Sequence, residues 1–215
     1  MTPTLNPNQL RRIVQTTWIE VTTWMTGRTK LFELPHPEQQ ILFELAFRLR
    51  ENLRSVAQDP AWDRLYFDAS AASSPYLLLS ELSTRRPNLR VETRKLAGVK
   101  RASTENPDLA IELCVLRSAD EIIDFDDDGH PRHHAWVPVS MDVQGRILEE
   151  SVQMLSNLSR RSVEGFLFVV YTNAAKRETG VDTRNVASWA SWAPLGDTLS
   201  WASRHFKARP PTPTL

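Results

Sequence analysis

Asn106-Pro107-Asp108-Leu109-Ala110-Ile111-Glu112-Leu113 is the stretch on which the fold turns. It reads as the start of a strand over residues 108–116. Side chains alternate along a strand, so Asp108, Ala110 and Glu112 share one face while Leu109, Ile111 and Leu113 share the other. A second stretch, Trp136-Val137-Pro138-Val139-Ser140-Met141-Asp142-Val143-Gln144-Gly145, reads the same way. In a strand over 135–143, extended to Gln144, one face carries Ser140, Asp142 and Gln144, and the other Val139, Met141 and Val143. If the two strands pair, Asp108 and Asp142 approach from adjacent positions. Two carboxylates, a backbone carbonyl and waters suit Mg²⁺, a hard ion that prefers oxygen ligands.

The elements outside these strands follow from periodicity. Leu10, Ile13, Val14, Thr17, Trp18 and Val21 recur at helical spacing and predict an N-terminal helix over 7–25. Pro37 and Glu38 open a second helix over 38–53, buried along Ile41, Leu42, Leu45, Leu49 and Leu53. Residues 62–67 read as a short strand or turn, 76–82 as a short helix and 89–96 as an alternating strand. The run Asp124-Phe125-Asp126-Asp127-Asp128-Gly129-His130 is a turn signal. A helix is expected over 146–159, after Gly145. The nearly all-apolar run 165–171 predicts a strand buried on both faces. Residues 174–215, with Trp189, Trp192 and Trp201, are expected to pack as short helices ahead of a frayed Pro210-Pro211-Thr212-Pro213 tail. From residue 38 the order is helix, strand, strand, strand, helix, strand, a mixed α/β arrangement in a single domain over 1–215.

Bulk properties narrow the function. The chain has 26 basic and 26 acidic residues, so no global field announces nucleic acid and any such surface must be local. A single cysteine, Cys114, excludes an intramolecular disulfide and fits a reducing cytoplasm. No run of about 18 apolar residues predicts a membrane span. The N-terminal residues lack a signal-peptide pattern.

The element order and the Pro-Asp…Asp-x-Gln pattern resemble the PD-(D/E)xK nuclease superfamily of restriction-endonuclease-like proteins, over residues 37–173. The resemblance implies a metal-dependent phosphodiesterase acting on nucleic acid, DNA favoured over RNA, with Mg²⁺ or Mn²⁺ as cofactor. By matching position, Asp108 and Asp142 would bind the metal. The family's lysine, two residues after the second acid, is replaced by Gln144, which can position a water but supplies no positive charge. Glu38, on the long helix, is the expected third acid, with Glu44 second; the first strand offers Glu92 as an additional acid, and Glu112 is either a further site acid or a residue at the edge of the site. Lys176 is one lysine able to substitute for the missing one. The resemblance also admits a homodimer, because many nucleases cut two strands by symmetry. The missing lysine keeps an alternative open: a catalytically inactive nuclease-like protein that binds nucleic acid or protein.

Plainer readings stand beside these. Asp108 can simply begin a strand, Asp142 can pair with an arginine, and Glu38 can serve the helix dipole. The aspartates at 124–128 with His130, His133 and His134 read first as a solvated hairpin tip. Arg85, Arg86, Arg90, Arg94, Lys95, Lys100 and Arg101 form the densest basic stretch, either a backbone-tracking surface or a solvated one. The late tryptophans read first as core or dimer packing and second as a stacking platform for bases.

Overall fold

The computed structural model describes residues 7–33, 37–57, 65–67, 89–91, 109–128, 131–173 and 181–209. In chain order these form α1 (Pro7–Thr26), a 3-10 turn (Thr29–Glu33), α2 (Pro37–Ala57), β1 (Leu65–Phe67), β2 (Leu89–Val91), β3 (Leu109–Arg117), β4 (Ala119–Phe125), β5 (Pro131–Pro138), α3 (Met141–Arg160), β6 (Glu164–Thr172), a second 3-10 turn (Thr183–Val186), β7 (Ala193–Pro194) and β8 (Leu199–Phe206). The protein is mixed α/β. The main sheet has six strands in the order β1-β2-β3-β6-β8-β7, and β4 and β5 pair separately as a hairpin.

β3 and β6 form the centre of this sheet. They are parallel, in register from Leu109↔Glu164 to Arg117↔Thr172, and parallel neighbours need a crossover, which α3 supplies. All other pairings in the main sheet are antiparallel. Alternation divides the core in two. Leu109, Ile111, Leu113, Phe166, Phe168 and Val170 pack with the stripes of α1 and α2, whereas Ala110, Cys114, Leu116, Leu167, Val169 and Tyr171 pack with Leu148 and Leu155 of α3. Fully burying a large aliphatic or aromatic side chain stabilises by roughly 1.5–3 kcal/mol, so α1, with Val14, Trp18, Val21 and Met25 at most 1% exposed, is part of the core. Trp18 stacks on Phe168 at 4.1 Å. The threonines of α1 satisfy their hydroxyls locally: Thr17 donates to the Ile13 carbonyl at 2.8 Å and Thr26 to that of Thr22 at 3.0 Å.

The expected helices over 7–25 and 38–53 and the strands over 108–116 and 165–171 appear as α1, α2, β3 and β6. Two expectations need correction. The strand expected over 135–143 ends at Pro138, and α3 begins at Met141. Ser140 caps it: its Oγ accepts the Val143 N–H at 3.4 Å, and Asp142 lies in the positive first turn. Gly145 therefore ends nothing; it lies inside α3, where an added Cβ would meet Val186 Cγ1 at an ordinary 3.8 Å. The second correction concerns the C-terminal part. Residues 199–206 form β8, which extends the sheet antiparallel to β6, instead of short helices. The short helix expected over 76–82 and most of the strand over 89–96 lie outside the described residues.

From α2 to β6 the described elements run helix, five strands, helix, strand, and three of those five strands belong to the main sheet. The strands filling that order differ from the expected ones. β1 and β2 precede β3, and β3 is the third of the three instead of the second.

α3 ends in a Schellman arrangement. Ser162 takes a left-handed φ of 66°, Val163 N–H donates to the Leu158 carbonyl at 3.1 Å, and Ser162 N–H donates to that of Ser159 at 3.2 Å. The Ser162 hydroxyl also donates to the Arg209 carbonyl at 2.8 Å, fastening the segment after β8 to the end of α3.

Candidate functional site

Among the described residues, the pairing that was to join the two acidic segments does not occur. β3 pairs with β2 and β6, β5 pairs with β4, and Asp142 and Gln144 sit on α3. Side chains two residues apart on a helix point away from each other. Asp142 is exposed, whereas Gln144 is buried.

Gln144 has a defined structural task. Its Oε1 accepts the Arg117 N–H at 3.2 Å, and its Nε2 donates to the Arg117 carbonyl at 2.9 Å. That carbonyl also accepts the Thr183 hydroxyl at 3.1 Å. The amide thus satisfies one peptide unit at the end of β3 on both sides. An unpaired buried peptide group costs about 1–3 kcal/mol, which explains why an amide suits this position. Both ends of the group that was expected to orient a water are engaged with backbone.

Glu38 converges on the same strand end. Its Oε2 lies 3.5 Å from Arg117 Nη2. Arg117 therefore gathers two of the four expected site residues: Glu38 through its guanidinium and Gln144 through its backbone. Leu109 stands at the other end of this nine-residue strand, about 26 Å away at roughly 3.3 Å per residue. Asp108, Glu92 and Lys176 lie outside the described residues, as does the basic stretch from Arg85 to Arg101 except Arg90. β2 nevertheless defines a local register: Val91 stands opposite Leu109. In sequence, Glu92 follows the first and Asp108 precedes the second.

Glu112 occupies the middle of β3 and is fully buried on the side facing α3. The Ser151 hydroxyl donates to Glu112 Oε1 at 3.3 Å, lies 3.3 Å from Cys114 Sγ and reaches the Ile147 carbonyl at 3.1 Å. That hydroxyl gives the buried Glu112 side chain a hydrogen-bond partner. The hydroxyl and thiol beside it do not complete a site for a hard divalent cation. Among the described residues, no three His, Cys, Asp or Glu side chains gather where they could hold a metal ion.

At the end of the sheet away from Arg117, where Leu109 stands opposite Glu164, lies a polar cluster that no local pattern announces. Glu164, at the start of β6, is 7% exposed. It accepts two bonds from Arg11, at 2.8 and 3.1 Å, one from the Ala208 N–H at 3.0 Å, and a close contact from His205 Nε2. Burial is the largest single influence on its carboxyl and pushes the pKa up. The Ala208 amide, Arg11 and His205 together outweigh it and hold the group below the ordinary carboxylate value. The cluster ties α1 to β6 and β8.

The hairpin acids behave as a turn: Asp126 Oδ1 accepts the Asp128 N–H at 3.1 Å. The tryptophans pack against the cores: Trp201 meets Trp18 edge-on at 6.0 Å and Trp192 meets Tyr171 at 6.3 Å. Arg204 lies over Trp189 at 5.4 Å. No helix among the described residues is long and apolar enough to cross a membrane.

Comparison with known proteins leaves these observations as the basis for any reading of function: no family model matches the chain, and neither a curated protein nor a solved structure matches it.

Proposed function

We propose that the chain is a restriction-endonuclease-like protein that cleaves phosphodiester bonds in nucleic acid, DNA before RNA, with Mg²⁺ or Mn²⁺. The observation that carries this reading is the β2–β3 register. Val91 opposes Leu109, and an acid is next to each in sequence, Glu92 and Asp108. Directly opposed residues of an antiparallel pair keep their Cβ atoms about 4.5–5.5 Å apart, a separation from which two carboxylates can share one cation. The proposed acid pair is therefore Asp108 with Glu92. Asp142 has no part in it, and Gln144 serves the end of β3. The order of elements from α2 to β6 also supports the reading. A bound divalent ion would supply a lowered water pKa and charge neutralisation at phosphate.

Supercoiled plasmid incubated with Mg²⁺ or Mn²⁺ tests this reading. Nicking is expected, with Asp108→Ala and Glu92→Ala each reducing it on the order of 10²-fold or more, and Asp142→Ala leaving it unchanged. Cleavage that survives both of the first two substitutions would sink the assignment. The second reading, a nuclease-like scaffold that binds without cleaving, draws on Gln144: its amide is fully engaged by backbone where the family resemblance expects a free lysine. Binding of DNA with no nicking under either metal would establish it.

A further inference from the structure

The end of α3 and the segment after β8 lie side by side. The Ser159 hydroxyl donates to the Lys207 carbonyl at 2.6 Å, the Arg209 N–H donates to the Ser159 carbonyl at 2.9 Å, and the Ser162 hydroxyl reaches the Arg209 carbonyl at 2.8 Å. These bonds join two stretches, 159–164 and 204–209, that together hold five cationic side chains and one carboxylate: Arg160, Arg161, Arg204, Lys207 and Arg209 against Glu164. All five cations are exposed. The lone carboxylate is turned inward and already held by Arg11 and His205. In a chain whose charges balance overall, these two stretches form a concentrated positive surface, and the one carboxylate within them is already paired.

Its setting also matters. The guanidinium of Arg204 lies over the rings of half-buried Trp189 and buried Phe206, at 5.4 and 5.2 Å, which holds this cation in place beside the others. The large hydrophobic side chains exposed among the described residues are Ile19, Phe43, Phe47 and Val143; none belongs to these two stretches. A membrane-binding surface combines cations with apolar groups that insert, and this one lacks the second part. A cluster of exposed cations without inserting apolar groups suits a nucleic-acid strand, whose phosphates the cations neutralise.

We infer that Arg160, Arg161, Lys207 and Arg209, flanked by Arg204 over Trp189, form a docking surface for the phosphate backbone of nucleic acid. It joins the end of α3 to the segment after β8. Binding here needs no divalent metal and does not depend on cleavage.

Fluorescence anisotropy in EDTA, with a labelled 20-nucleotide single strand and the matching duplex, tests this. Four phosphate contacts predict that affinity for duplex falls about 10²-fold between 50 and 200 mM salt. The variant Arg160→Ser/Arg161→Ser/Lys207→Ser/Arg209→Ser should lose most of the binding and show a nearly flat salt response. Lys30→Ser/Arg146→Ser, which removes two exposed cations elsewhere, should bind like the wild type. A circular dichroism melt of each variant checks that the fold is kept, and the paired variants Arg160→Ser/Arg161→Ser and Lys207→Ser/Arg209→Ser provide a partial loss if the fourfold one unfolds. Wild-type protein that binds neither probe, variants that bind like the wild type, or capture by phosphatidylserine vesicles but not by DNA would each overturn the inference.

Discussion

Replacing Glu164 by glutamine removes one negative charge and keeps the shape of the side chain. Arg11 loses the acceptor of two bonds, at 2.8 and 3.1 Å, and His205 loses its carboxylate partner, while the Ala208 N–H can still donate to the amide oxygen. Hydrogen bonds to charged groups contribute about 1.5–3 kcal/mol each, and breaking a buried pair costs about 3–5 kcal/mol. Arg11 and His205 keep 28% and 22% side-chain exposure, so both regain water when the pair is broken. The expected loss is therefore about 2–3 kcal/mol. For a chain of this size each kcal/mol moves Tm by about 2–4 °C, so Glu164→Gln should lower it by about 4–12 °C at pH 7. Glu149→Gln, at an exposed position on α3, should stay within about 0.5 kcal/mol of the wild type. The pH dependence gives a second check. The folded carboxyl titrates below its ordinary value, so its contribution is complete above the ordinary carboxylate range and is lost as pH falls through the folded pKa. The gap between wild type and Glu164→Gln in a thermal melt should thus close as the pH drops below about 4. A gap of under about 1 °C at pH 7, or one that stays constant from pH 7 to 3, would refute the ion-cluster account.

Gln144→Lys, which restores the residue type expected from the family resemblance, should not raise cleavage. It should lower stability by about 1–3 kcal/mol in a urea melt, because the Arg117 peptide loses its partner. Gly165→Ala places a Cβ 3.2 Å from that of Phe206 and 3.3 Å from Leu155 Cδ2, and overpacking of this kind costs about 1–3 kcal/mol, read as an earlier urea midpoint. Ser162→Gly relieves a left-handed φ worth about 1 kcal/mol but loses the hydroxyl bond to Arg209. Its Tm should move by no more than a few degrees, and its DNA binding should weaken if the Arg209 segment loosens.

The elements whose burial pattern has one clear period were legible in the sequence. α1 and α2 carry an apolar stripe, and β3 and β6 are apolar on both faces because helices cover both sides of the sheet. The segment around Asp142 misled because it satisfies two patterns at once. Val139, Met141 and Val143 alternate as a strand would, while Ser140 and Asp142 are also a cap and a first-turn acid. The helix prevailed because α3 buries Gln144, Leu148, Ser151, Leu155 and Ser159 along one side, which a strand could not do. β8 was obscured by burial that breaks its alternation: Leu199, Ser200, Ala202 and Phe206 are buried and Ser203 and Arg204 exposed. The Glu164 cluster joins residues 41 and 153 positions apart, and the basic surface exists only because Ser159 and Ser162 meet Lys207 and Arg209. Neither proximity leaves a local trace.

The proposed pairing of Asp108 with Glu92, in place of Asp142, is tested most directly by Mn²⁺ titration of the intact chain followed by calorimetry. The tightest site should weaken on the order of 10-fold or more in both Asp108→Ala and Glu92→Ala, and Asp142→Ala should titrate like the wild type. Mn²⁺ binding that Asp142→Ala abolishes while Asp108→Ala and Glu92→Ala leave it unchanged would contradict that pairing.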